Sequence, residues 1–140
     1  MKYNLALGII FIVVFLFWGC SVIQSPTEQA HDIEVEGQPI DVMNALISFC
    51  SANGLQIIEN DRSTGVLVAD LIQNDPSNAV YVEGETTRLR FRVQTKDESH
   101  AVVSVFILGK TSTGEKAIRV SEERVQTIIK SIREKITKKQ

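Results

Sequence analysis

Hydrophobic and polar positions follow two rhythms along this chain, after an opening run that has neither. From Leu5 to Trp18 every residue is apolar or Gly. A helical rhythm begins at Pro39. Val42, Leu46, Phe49 and Cys50, with Met43 and Ile47 alongside, form an apolar stripe that predicts a helix from Pro39 to Asn53. Proline suits the first helical turn, and Gly54 suits the position after the last. Leu55–Glu59 and Val66–Ile72 predict two strands around the turn cluster Asn60 to Gly65. Asn74 to Asn78 breaks the second strand. Ala79–Glu83 reads either as a brief strand or as part of a loop.

The strictest alternation runs from Thr87 to Thr95. Leu89, Phe91 and Val93 point one way, and Arg88, Arg90, Arg92 and Gln94 the other. That period of two predicts a sheet with one buried and one wet face. After a turn at Lys96–His100, Ala101–Leu108 is apolar and β-branched, as a central strand would be. Gly109–Lys116 reads as a loop. Ser121 to about Lys138 predicts a closing helix, with Ser121 as N-cap, Glu122 and Glu123 in the first turn, and a stripe of Val125, Ile128, Ile129, Ile132 and Ile136. The economical arrangement is an α+β two-layer sandwich, an antiparallel sheet of 4–5 strands with two helices on one face. It forms a single domain over 38–140.

The opening run needs a different reading. A membrane-spanning helix takes about 20 apolar residues, and the run from Leu5 to Trp18 is shorter. It fits the apolar centre of a signal peptide over 1–19. An uncleaved membrane anchor and an ordinary secretory signal are the other readings. Ser21 to Gly37 lacks periodicity and reads as part of a tether over 20–37, able to span up to about 55–60 Å when extended. Ile33-Glu34-Val35 is the one stretch there that could add an edge strand.

Phe17-Trp18-Gly19-Cys20 resembles a bacterial lipobox, with Phe17 and Trp18 standing where Leu and a small residue are usual. The resemblance implies cleavage before Cys20 and acylation of its sulfur, with palmitate-type chains holding the protein on the membrane. Ser21 is not the aspartate that retains such lipoproteins at the inner membrane. An outer-membrane location facing the periplasm is therefore expected. Farther along, Ala45-Leu46 through Gly54-Leu55, then Asp61 and Thr64-Gly65-Val66-Leu67-Val68-Ala69, resemble small bacterial envelope lipoproteins. Domains of the C-type lipoprotein of the outer-membrane β-barrel assembly complex share this helix–hairpin–strands–helix layout. The resemblance implies an accessory or scaffolding role without catalysis.

Composition narrows the chemistry. The net charge of −2 argues against attachment to nucleic acid. With Cys20 acylated, Cys50 has no disulfide partner, and its place in an apolar stripe marks it as a buried thiol. Gly109-Lys110-Thr111 is not a phosphate loop, because Ser104 stands where the first glycine belongs and no helix follows. His31 and His100 have no companions at metal-ligand spacing, so no metal or other cofactor is expected. His100 is the candidate base if the protein were an envelope hydrolase.

The strongest binding lead is the row Arg88, Arg90 and Arg92. Alternate strand residues lie about 6.5–7 Å apart, a spacing suited to carboxylates or phosphates on an envelope protein, peptidoglycan or anionic lipid. The competing reading pairs these arginines with Glu59, Asp70, Glu83 or Glu85 on neighbouring segments. The functional expectation is a non-enzymatic, membrane-anchored binding or scaffolding lipoprotein. A carrier or sensor of a small apolar ligand held between helices and sheet is the alternative, and a hydrolase using His100 is the second.

Overall fold

The structure, a computed structural model, describes residues 26–138. The segment Phe17–Cys20 lies outside them. In chain order the elements are β1 (Ala30–Glu36), α1 (Pro39–Ala52), β2 (Leu55–Asp61), β3 (Val66–Leu71), β4 (Thr87–Thr95), β5 (His100–Lys110), β6 (Glu115–Ala117) and α2 (Glu122–Thr137). The strands form one antiparallel sheet in the order β1-β5-β4-β3-β2, with β6 also on β5. β1 pairs with His100–Phe106 and β6 with Leu108–Lys110. These two share one edge of the sheet, and β2 forms the other.

Both helices cover the same face. Their stripes, Val42, Leu46, Phe49 and Cys50 from α1 and Val125, Ile128, Ile132 and Ile136 from α2, join one core with Ile33, Leu67, Leu89, Phe91, Val103 and Val105 of the strands. At its centre Phe49 meets Phe91 edge to face, with centroids 6.5 Å apart, a favoured aromatic geometry. The α+β sandwich is thus the architecture that the periodicities predict.

Two segments, 30–36 and 109–116, differ from the main sequence reading, and a third, 79–83, takes one of the two readings left open. Residues 30–36, expected within the tether, form β1. Ile33 and Val35 are buried while Asp32, Glu34 and Glu36 are exposed. Two apolar positions in an acidic stretch are too few to stand out as a period, but two suffice for an edge strand whose inner face lies under a helix. Only the nine residues Ser21–Gln29 then separate Cys20 from the sheet, a reach of about 30 Å. Residues 79–83 belong to the loop. Val80 and Val82 are buried as anchors, without a strand ladder. In the expected 109–116 loop, β5 continues to Lys110 and turns back into β6, with the Thr111 N–H donating to the Gly114 carbonyl at 2.9 Å.

Local chemistry sets the ends and turns. Ser121 caps α2 by accepting from the Arg124 N–H. Asp61 Oδ1 accepts from the Ser63 and Thr64 N–H groups and closes the β2–β3 turn. Gly65 completes that turn with φ of 71°. A Cβ there would sit 2.2 Å from the Val93 carbonyl oxygen, while the Gly65 carbonyl accepts from the Val93 N–H at 2.8 Å. Both the dihedral and the close approach require glycine.

Two stability predictions follow from these positions. Gly65→Ala should cost about 2 kcal/mol or more, read from the urea midpoint, because the new methyl group is strained in both dihedral and space. Thr87 is fully buried, and its hydroxyl has no partner among the described residues. Thr87→Val should raise stability by about 1 kcal/mol, since it removes an unpaired buried polar group at nearly constant volume. A drop in the midpoint would show that the hydroxyl is bonded after all.

Candidate functional site

The outer face of the sheet, opposite the helices, is built from the even-numbered residues of β1, β3, β4 and β5. The register sets Arg88 between Asp70 of β3 and Leu108 of β5, Arg90 between Val68 and Phe106, and Arg92 between Val66 and Ser104. The three arginines therefore share one face at strand spacing. Their surroundings divide them.

Arg88 grips Asp70 through two hydrogen bonds, Nε to Oδ1 at 2.6 Å and Nη2 to Oδ2 at 2.9 Å. This is a bidentate guanidinium–carboxylate pair. Asp70 is only 4% exposed, and Lys110 Nζ lies 3.3 Å from its Oδ2. Burial pushes the Asp70 carboxyl up, but the hydrogen bonds and charges of Arg88 and Lys110 outweigh it and leave the group below the ordinary value of 3.8. The same bond from Asp70 raises the Arg88 guanidinium. Arg90 pairs with Glu115 of β6 and with Glu28 just ahead of β1. Its guanidinium lies 4.7 Å from the centroid of the Phe106 ring, within cation–π range.

Arg92 is different. It is exposed, and no carboxylate pairs with it among the described residues. The hydroxyl of Ser104 beside it is turned to Asp32, donating at 2.6 Å. Of the four carboxylates considered from sequence, Asp70 alone pairs with the row. Glu85 binds Lys116 of β6. Glu28 and Glu115 were missed because each pairs across a strand that the sequence pattern did not reveal.

The other candidates take their places readily. His100 opens β5, where its Nδ1 lies 2.9 Å from Asp97 Oδ1 and 3.0 Å from Ser99 Oγ. A hydrolytic relay needs the carboxylate on one ring nitrogen and the hydroxyl on the other. Here both meet the same nitrogen. The Asp97 carboxylate also accepts the Ser99 and His100 N–H groups. The Ser99 backbone bond, followed by the His100 ring, holds Asp97 down at about 2. This is turn chemistry. His31 sits on β1. No group of three or more His, Cys, Asp or Glu side chains comes together to hold a metal among the described residues. Cys50 is buried in the core, and burial pushes its thiol up to about 12. Between helices and sheet, Phe49 and Phe91 pack against each other within the buried core. No described helix is long and apolar enough to cross a membrane.

Together these features describe an α+β sandwich whose outer sheet face carries a paired charge network with one uncommitted arginine. No family model and no curated protein matches the chain. Among solved structures, it is similar to the crystal structure of Ara h 8.0201 at 12% identity and a TM-score of 0.42, over 80% of this chain and 99% of that one.

The Asp70–Arg88 pair yields a test. Asp70→Asn should cost about 3 kcal/mol at pH 7, the low end for breaking a buried pair from one side, since Arg88 keeps Glu115 within 3.6 Å. The folded Asp70 carboxyl titrates below its unfolded value. Its contribution is therefore complete above about pH 4 and is lost as pH falls through the lowered folded value. Urea unfolding between pH 7 and pH 2 should show a shallower acid limb in Asp70→Asn. Asp97 supplies part of the slope that remains.

Proposed function

We propose that this chain is a non-enzymatic, lipid-anchored protein of the bacterial cell envelope, acylated on Cys20 and facing the periplasm from the outer membrane. Its domain binds another envelope component through the outer sheet face. The observation that carries the reading is the unbroken apolar run Leu5–Trp18 ending in Gly19-Cys20, with the sheet beginning ten residues after that cysteine. Two or more acyl chains anchor a protein stably where one does not, so a diacylated Cys20 needs no spanning helix.

Within the arginine row the contact falls to Arg92. Arg88 and Arg90 are held by Asp70, Glu115 and Glu28 and serve the sheet. Arg92 is free to take a carboxylate or phosphate from a protein, peptidoglycan or anionic lipid.

Membrane fractionation with intact-mass measurement tests the anchor. The native protein should sediment with membranes at the mass of residues 20–140 plus lipid, and Cys20→Ala should lack the lipid. An unmodified native mass ends the lipoprotein reading. Arg92→Gln tests the contact. It should lower recovery of the bound envelope component several-fold while stability changes by less than about 0.5 kcal/mol, as for an ordinary surface substitution. Unchanged recovery removes Arg92 from the interface.

A further inference from the structure

The two edges of the sheet are guarded differently. On the β1 edge every outward residue from Asp32 to Glu36 is a carboxylate, which deters further strands. Among the described residues the β2 edge pairs with β3 alone, and it carries apolar surface. Ile58 is 51% exposed and Ile72, just past the end of β3, is 67% exposed. α1 packs against β2, yet Gln56, Ile58, Glu59 and Asn60 remain exposed. A bulge between Ile57 and Glu59 interrupts the register. It limits any added ladder to a few residues at the head of β2, which disfavours endless stacking while leaving that head available.

A surface groove of about 550 Å³ continues from this head, and Gly54, Leu71, Ile72 and Asp75 are among its lining residues. Two features bring negative charge to it, on the side away from the Arg124 guanidinium that donates to the Asn78 carbonyl. α1 ends at its wall, with no basic residue in the last turn to offset the negative end of the helix. Asp75 also stays ionised, because the Ser77 N–H and hydroxyl both donate to its carboxylate.

We propose that the β2 edge and this groove form a strand-addition site for an extended polypeptide segment with alternating apolar and cationic side chains. The backbone of the segment pairs along Leu55–Ile57. Its apolar side chains cover Ile58 and Ile72, and a lysine or arginine enters the groove toward Asp75. Main-chain bonds supply the affinity and the groove supplies the selectivity. The site is separate from Arg92 and does not depend on acylation, so its success or failure is independent of the reading above.

The test uses the full chain in non-ionic detergent micelles, with the peptide acetyl-Lys-Val-Lys-Val-Lys-Val-Lys-amide and its Glu counterpart as probes. Hydrogen exchange read by mass spectrometry should show slower exchange within residues 54–61 on adding the Lys peptide, and little change with the Glu peptide. Asp75→Asn keeps a side-chain acceptor for Ser77 and should weaken Lys-peptide binding about threefold, the worth of one exposed ion pair. Ile58→Asn should weaken it as well, with the unfolding midpoint as the control for folding. An equal response to both peptides, protection centred on β1 or on the Arg92 face, or no protection at all overturns the proposal.

Discussion

The nine-residue ladder between β4 and β5, from Thr87 opposite Gly109 to Thr95 opposite Ala101, governs what the rest of the molecule can do. Antiparallel pairing at this register commits every odd residue of β4 to the helices and every even one to the opposite face. Phe91 can meet Phe49 only because of that commitment, and Arg88 is brought beside Asp70 for the same reason. A slip of one residue would bring three guanidiniums into the core. The cost of burying them unpaired is what makes the register secure.

The same ladder explains why the outer face is less wet than its arginines suggest. Val68, Asp70 and Leu108 are nearly as buried there as core residues. Arg88 and Arg90 lie between them in register, and arginine stems cover apolar neighbours while their heads reach partners. The face is held by interlocked charges, with Asp70 shared by Arg88 and Lys110 and Glu115 shared by Arg88 and Arg90. Arg92, one step farther along the strand, lies beyond that network.

The sequence foretold the layers because the stripes of α1 and α2 and the alternation of β4 each persist over several periods. β1 was harder to see, since its signal rests on Ile33 and Val35 alone. β6 has just three residues, and none of them marks a strand. What could not be read at all were the pairings made by those two segments. Glu28 and Glu115 meet Arg90 from positions far from it in sequence, and no periodicity reports which distant carboxylate will arrive. Asp70 was legible as a partner because it lies on β3, the strand that the turn geometry brings next to β4. The groove beside β2 depends on where the end of α1 falls relative to the loop after β3, a relation set by packing.

Cys50 has a practical consequence. Its sulfur is enclosed by the core and protonated across the whole physiological range, so alkylating reagents and oxidants reach it only when the domain unfolds. Cys20 is the other cysteine in the sequence. The folded chain is therefore its own reporter. A maleimide added under native conditions interrogates position 20, and one added in denaturant reaches Cys50 as well. The difference between the two separates the chemical state of Cys20 from the integrity of the fold, with no engineered label.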